Sequence, residues 1–86
     1  MAAHRISGTV RDPQGKPVAQ ARVYFTSAPV SLPDIAALTD DHGAFTLAVP
    51  VPGDYTIAAA SDAHPPASVK VTVGDAPEIQ VVIRLG

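Results

Sequence analysis

Apolar and polar residues alternate with a period of two through most of the 86-residue chain. In the last such segment Ile79, Val81 and Ile83 alternate with more polar neighbours, and Val82 is the one apolar residue out of phase. A period of two is typical of a strand with one buried and one exposed face. The alternation predicts strands at residues 5–11, 21–26, 44–49, 55–59, 68–73 and 79–85.

Turn-forming residues separate several of these segments. In "DPQG", Asp12 and Gly15 stand at the first and fourth positions that a type I turn prefers. In "VPGD", Pro52 and Gly53 match the central positions of a type II turn, where glycine supplies the positive φ. Both sites predict tight connections between strands.

The segment at 27–38, "SAPVSLPDIAAL", has two interpretations. Pro29 and Pro33 exclude a central strand across it, and Asp34 could cap a short helix. We favour a loop that leads into the strand at 35–39. The chain then has about seven strands, enough for two sheets that cover each other's apolar faces. The predicted fold is an all-β sandwich formed by residues 1–86 as a single domain.

The stretch "TDDHGAF" places two acids and a histidine between apolar segments. In a tight turn, the Asp40 carboxylate accepts backbone N–H groups and Gly43 takes a left-handed conformation, which directs Phe45 into the core. Asp41 and His42 then lie at the solvent-facing tip. The same letters could instead form a metal site or an acid–base cluster.

A metal site would need further ligands, because adjacent residues on a turn rarely converge on one ion. Asp62 and His64 could supply them if their loop met the first one. We favour the turn, and we expect no metal ion and no cofactor.

Composition narrows the classes of partner. Nine prolines and six glycines favour short strands and tight turns, and the absence of cysteine excludes disulfides and a thiol nucleophile. A net charge of -2 lacks the basic surface that binds nucleic acid. No apolar run approaches the roughly 20 residues that span a bilayer, and this segment has no signal peptide, so we expect no membrane insertion.

Four short motifs together resemble one family, the carboxypeptidase regulatory-like domains. The matching residues are Gly8, Val10, Asp12, Gly15 and Pro17; Ala21 and Val23; Thr39, Asp40, Gly43 and Phe45; and Pro52, Gly53 and Tyr55. The resemblance runs from about Ile6 to Leu85 and implies a seven-stranded Greek-key sandwich like that of transthyretin. Two departures stand out: Gln20 replaces the usual glycine, and "SDAHPPA" makes the loop around residues 62–66 peculiar to this chain.

The resemblance also implies a function and a location. Such domains are usually appended to larger secreted, periplasmic or surface proteins, including components of bacterial secretion machines, where they act as scaffolds or contact other proteins. We therefore expect an extracytoplasmic accessory or adaptor domain with a protein partner or a neighbouring domain. The candidate contact residues are Asp62 and His64 in the unusual loop and the outward-facing Arg22 and Tyr24 on the second strand.

Three alternatives are weaker. The fold-related 5-hydroxyisourate hydrolases have a C-terminal Tyr-Arg-Gly-Ser signature that this chain lacks, although His4 and "GKP" resemble their N-terminal region. A carbohydrate-binding module would need exposed aromatic residues, of which the chain has few. An isopeptide bond like that of related pilin repeats would have to use Lys16, in a turn, or Lys70, which faces outward. We therefore predict a domain that is not an enzyme and has no catalytic residue.

Overall fold

The computed structural model describes residues 4–31, 36–76 and 78–86 as two β-sheets packed face to face. The strands are β1 (His4–Arg11), β2 (Arg22–Ser27), β3 (Ala37–Leu38), β4 (Ala44–Val49), β5 (Gly53–Ser61), β6 (His64–Val73) and β7 (Glu78–Arg84). One sheet has the order β4-β1-β7 and the other the order β3-β2-β5-β6. The prediction of an all-β sandwich is confirmed. Nowhere in the described ranges is there a helix long and apolar enough to cross a membrane.

The first and last strands lie side by side in the smaller sheet. β1 is antiparallel to β4 and parallel to β7, so it is the central strand. Ile6 pairs with Leu47 on one side and Ile79 on the other, so the three side chains lie on the same, inward face. The strand register thus aligns the apolar positions of neighbouring strands, so that they form one buried face.

The core lies between the two sheets and is built almost entirely of aliphatic residues. Tyr55 is its largest fully buried side chain, and its ring packs 5.6 Å from that of Phe25, measured between centroids. The other core residues are Ile6, Val10, Ala21, Val23, Phe45, Leu47, Val49, Ile57, Ala59, Val71, Val73, Ile83 and Leu85. In contrast, Val82 is 59% exposed, because it points away from the second sheet.

The connection between β5 and β6 differs from the predicted loop at residues 62–66. The two strands extend to Ser61 and His64, which pair with each other, so the turn has only two residues. Pro65 and Pro66 belong to β6. Prolines are tolerated there because β6 is an edge strand and its register shifts at this point.

The connections at the opposite end of the sandwich also depart from expectation. Of the strand predicted at 35–39, Ala37–Leu38 forms β3 and the described residues 36 and 39 do not belong to it. Residue 35 and the alternative helix beginning at Asp34 lie outside the described residues. Gly53 has a φ of 145° rather than the roughly +80° of a type II turn. The position nevertheless requires glycine, since a Cβ there would lie 2.8 Å from Cγ of Pro29.

Candidate functional site

Three connections meet at one end of the sandwich, which we call the loop end. It is formed by residues 12–21 between β1 and β2, residues 39–43 between β3 and β4, and the two-residue turn between β5 and β6. The first two are joined by the Gln20 N–H, which donates to the Thr39 carbonyl at 3.0 Å. The third lies beside them because the start of β2 pairs with the end of β5.

The Asp40 carboxylate is occupied by the backbone of its own turn. Its Oδ1 accepts the N–H groups of Ala44 and His42, each at 2.9 Å, and these bonds lower the pKa of Asp40 from its usual value of 3.8. Gly43 has a φ of 75°, and a Cβ there would lie 2.7 Å from the Val10 carbonyl oxygen. This is the geometry that the turn interpretation expects, with Asp40 holding the turn closed.

The turn after β1 has the same hydrogen-bond pattern. Asp12 Oδ1 accepts the N–H groups of Gln14 and Lys16 at 2.9 Å, its carbonyl accepts the N–H of Gly15 at 2.9 Å, and Gly15 has a φ of 85°. Both turns therefore use an aspartate and a glycine separated by two residues. Sequence reasoning identified the two turns separately and missed that they are two copies of one local structure.

The tip residues Asp41 and His42 are both exposed. Within residues 4–31, 36–76 and 78–86, no three His, Asp or Glu side chains come close enough together to hold a metal ion. One oxygen of the Asp40 carboxylate, Oδ1, already accepts two backbone hydrogen bonds. These turn residues therefore do not form the converging ligand set that the metal hypothesis requires.

A small cavity lies at the loop end between the β1–β2 segment and the β5–β6 turn. Its volume is about 220 Å³, and it is lined by Val18, Ala19, Gln20, Ser61, Asp62, Ala63 and His64. The Arg22 guanidinium lies 3.9 Å from the Asp62 carboxylate, whose side chain is 99% exposed, so water screens this ion pair strongly. The cavity thus combines an apolar part with an amide, a hydroxyl, a carboxylate and an imidazole.

Three of the four candidate contact residues are brought together here. Asp62 and His64 line the cavity, and Arg22 contacts Asp62. Tyr24 does not belong to this group: it lies two residues further along β2, opposite Ala58, and is half-buried on the outer face of the larger sheet.

Gln20 is the described non-glycine residue with a positive φ, at 59°. Such a conformation costs a residue with a side chain about 1 kcal/mol or more, and it persists only where the surroundings enforce it. Here buried Thr39 enforces it from both sides. The Gln20 N–H donates to the Thr39 carbonyl at 3.0 Å, and the Thr39 hydroxyl donates to the Val18 carbonyl at 2.6 Å and accepts the Ala21 N–H at 2.9 Å.

Sequence reasoning noted Gln20 as a departure from glycine but did not select it as a site residue. The structure shows that the position requires a left-handed backbone, so the glutamine retains a strained conformation that glycine would relieve. Its exposed side chain borders the cavity. The signal that could have identified it was already present, as an unusual residue where a glycine is expected.

His4, the residue that suggested a hydrolase, lies at the opposite end of the sandwich. It begins β1, is buried, and its Nδ1 lies 3.1 Å from the Ala76 carbonyl oxygen, to which the Nδ1-protonated tautomer donates. His42 and His64 are both at the loop end. The three histidines therefore do not share one site.

The residues relevant to an isopeptide bond are also placed at the surface. Lys16 and Lys70 are both exposed. The buried polar residues of the described chain are His4 and Thr39, neither of which is an acid. An internal cross-link of the kind suggested by pilin repeats thus has neither a buried lysine nor a buried carboxylate available to it among these residues.

Comparison with protein families gives one match that covers nearly the whole chain. The sequence model of the carboxypeptidase regulatory-like domain matches residues 5–86. None of the curated proteins matches the chain significantly.

Solved structures with the same fold come from proteins of different kinds. The major pilin subunit BcpA of Bacillus cereus superposes with a TM-score of 0.73 at 13% identity, covering 99% of this chain and 30% of the pilin. Chlorocatechol 1,2-dioxygenase from Pseudomonas putida gives 0.73 at 14% identity, covering 98% and 60%. A type II cohesin–X-dockerin complex from Acetivibrio cellulolyticus gives 0.67 at 17% identity, covering 95% and 56%. The chain thus spans less than two thirds of each structure, and these similarities establish its fold alone.

Proposed function

Because the chain belongs to the carboxypeptidase regulatory-like domain family, we propose that it is a non-catalytic accessory domain that binds a protein partner through its loop end. The observation that carries this proposal is the cavity bordered by Gln20, since a residue held in a strained conformation beside a cavity is typical of functional sites. The partner is either a separate protein or a neighbouring domain of a larger extracytoplasmic protein.

The chemistry of the cavity suits a polypeptide surface. Its lining combines aliphatic side chains with both hydrogen-bond donors and acceptors, and charges of both signs lie beside it on Arg22 and Asp62. Mixed polar and apolar surfaces of this kind are typical of interfaces between proteins that also exist separately. A cavity of about 220 Å³ accommodates one side chain of a partner rather than a whole small-molecule substrate.

A carbohydrate ligand is less well supported. Sugar-binding surfaces use exposed aromatic rings, and the four aromatic residues of the chain are all described. Phe45 and Tyr55 are buried, and Tyr24 and Phe25 are half-buried. None of them presents a ring at the cavity.

The rigid construction of the loop end favours binding. The turns at Asp12 and Asp40 are each closed by three or more hydrogen bonds from the backbone, and Thr39 fixes the segment between them. Less conformational entropy is lost when a surface of this kind binds a partner. Two of the structural neighbours, a pilin subunit and a cohesin–dockerin complex, are parts of protein assemblies, which also supports a protein partner.

Binding to defined partners tests the proposal. The candidate partners are the purified products of the neighbouring genes and the adjoining domains of any longer parent protein, and calorimetry would measure the dissociation constant. We expect the double variant Asp62→Ala/His64→Ala to weaken binding on the order of tenfold or more, because a few residues at the centre of an interface usually provide most of the binding energy.

Asp75→Ala provides a matched control. Asp75 is also an exposed aspartate in a connection flanking β6, but it lies at the opposite end of the sandwich. This variant should bind as the unmodified chain does. Equal affinity of the loop-end variant and the control would place the contact elsewhere, and binding to none of these proteins would favour a passive spacer.

A further inference from the structure

Strand β7 forms an open edge of the smaller sheet. It pairs with β1 on one side, and among residues 4–31, 36–76 and 78–86 no strand pairs with its other side, as the sheet order β4-β1-β7 shows. Natural edge strands usually carry lysine, proline or a bulge that prevents further pairing. The edge strand β6 has Pro65, Pro66, Lys70 and a register shift, whereas β7 has none of these.

The outer face of β7 carries charges of opposite sign at its two ends. Along the strand this face presents Glu78, Gln80, Val82 and Arg84, and Val82 is 59% exposed. Residues that lie opposite each other in an antiparallel pair place their side chains on the same face. If Val81 lies opposite Val81 of a second copy, Glu78 faces Arg84 at both ends of the pairing.

Other arrangements lose this match. A shift of two residues places Arg84 opposite either Gln80 or Ala76, so at least one charged residue has no counter-charge opposite it. A shift of one residue sets the outer face of one copy against the inner face of the other. Parallel pairing sets Glu78 against Glu78 and Arg84 against Arg84, which is unfavourable. The outer face is therefore self-complementary in a single antiparallel register.

The monomer leaves part of this charge pattern uncompensated. Within the sheet, Arg84 pairs with Arg11 of β1, which carries the same charge. Among the described residues, the ion pair within 4 Å is that of Arg22 and Asp62, so no carboxylate lies that close to Arg84. Glu78 from a second copy would supply one.

We propose that two copies of this chain pair through β7, antiparallel and centred on Val81, and join their smaller sheets into one continuous sheet. The other edge of this sheet, β4, likewise has no lysine or proline, but it is shorter and carries no complementary charges. It is the competing site. This proposal concerns a different surface from the loop end and does not depend on partner binding there.

Sedimentation equilibrium of charge variants tests the pairing. The unmodified chain should pass from 8.8 kDa to twice that mass as its concentration rises toward roughly 1 mM, the range expected for a small interface. Glu78→Arg and Arg84→Glu each set like charges opposite each other at both ends, so each variant alone should dimerise on the order of tenfold or more weakly.

Mixing the two variants gives the sharper result. When a Glu78→Arg chain pairs with an Arg84→Glu chain, the first has arginine at positions 78 and 84 and the second has glutamate at both. Every charge then faces its opposite, so a 1:1 mixture should dimerise as well as the unmodified chain. Failure of the mixture to dimerise, with both variants folded by circular dichroism, overturns the proposed register. A chain that stays monomeric throughout the concentration range overturns the proposal itself.

A matched pair of lysine variants distinguishes the two edges. Val82→Lys and Thr46→Lys add the same charge to exposed outer-face positions of β7 and β4. The proposal requires Val82→Lys to weaken the dimer and Thr46→Lys to leave it unchanged, and the reverse result assigns pairing to β4. Neither residue lines the cavity at the loop end. A Val82→Lys chain that is monomeric but still binds the partner would show that pairing through β7 and binding at the loop end are independent.

Discussion

Replacing Gln20 by glycine should stabilise the domain. The residue has a φ of 59°, a conformation that glycine adopts without the steric penalty of a side chain. Its N–H bond to the Thr39 carbonyl belongs to the backbone and is retained in the variant. The substitution therefore removes backbone strain and an exposed side chain but no hydrogen bond of the core.

The magnitude follows from two opposing effects. A left-handed backbone costs a residue with a Cβ about 1–2 kcal/mol. Glycine returns about 0.5–1 kcal/mol of this, because it loses more conformational freedom on folding. The net gain in the free energy of unfolding therefore lies between about 0 and about 1.5 kcal/mol, and its midpoint of about 0.75 kcal/mol corresponds to a rise in Tm of about 3–6 °C for a domain of this size.

Gln20→Ala is the control, because it removes the same polar group and keeps the strain. Thermal and urea unfolding of the three proteins should rank the glycine variant above both others, with alanine within about 0.5 kcal/mol of the unmodified chain. If the glutamine is kept for binding, both variants should also weaken partner binding to a similar extent. A glycine variant no more stable than the alanine variant would refute the strain at this position.

Three further substitutions or conditions test other parts of the structure. Thr39→Val removes a buried hydroxyl that bonds one carbonyl and one N–H, so urea unfolding should show a free energy of unfolding lower by about 2–4 kcal/mol. Thr39→Ser keeps the hydroxyl and should retain most of this stability, so equal losses in the two variants would contradict the role of the hydroxyl. Gly8→Ala places a Cβ against the backbone carbonyl oxygen of Val81 inside the smaller sheet, so the free energy of unfolding should fall by at least about 1–3 kcal/mol. A fall of less than about 0.5 kcal/mol would show that β1 and β7 are less closely packed. Because the pKa of Asp40 is lowered in the folded state, its carboxylate contributes fully to the stability of the fold above about pH 3.8, and this contribution is lost as the pH falls through the folded pKa. Between about pH 5 and about pH 2, the Asp40→Asn variant should therefore lose less stability than the unmodified chain. Parallel profiles of stability against pH would contradict this.

The strands were predictable from the sequence because a half-buried sheet imposes its period directly on the residues. Ile79, Val81 and Ile83 alternate inward as expected, and Val82 is exposed because its position on the outer face outweighs its apolarity. The extension of β6 through Pro65 and Pro66 was not predictable in this way. Proline usually argues against a strand, and only the position of β6 at an edge with a register shift makes it acceptable.

The candidate site was predictable only in part. Asp62 and His64 were selected because their segment departs from the family pattern, and Arg22 joins them because the start of β2 lies beside the end of β5. The cavity itself depends on how close the β1–β2 segment lies to the β5–β6 turn, which no local pattern contains. Tyr24 shares the outward phase of Arg22 but lies beyond the cavity, since phase specifies a face of the sheet and not a position along it.

The two proposed surfaces have a joint geometric consequence. β7 ends at the loop end, where the Leu85 N–H donates to the Arg11 carbonyl at 2.8 Å. In an antiparallel β7 pair, the loop ends of the two copies therefore point in opposite directions, and each domain is about 37 Å along its longest axis. Two such sites cannot both engage one small partner, so the dimer should bind two partner molecules, without the gain in apparent affinity that simultaneous engagement gives. The mass of the complex distinguishes the two outcomes. Two partner molecules per dimer, each bound as tightly as by a monomer, would agree with both proposed surfaces. One partner molecule bound by both copies would require a different pairing of the copies.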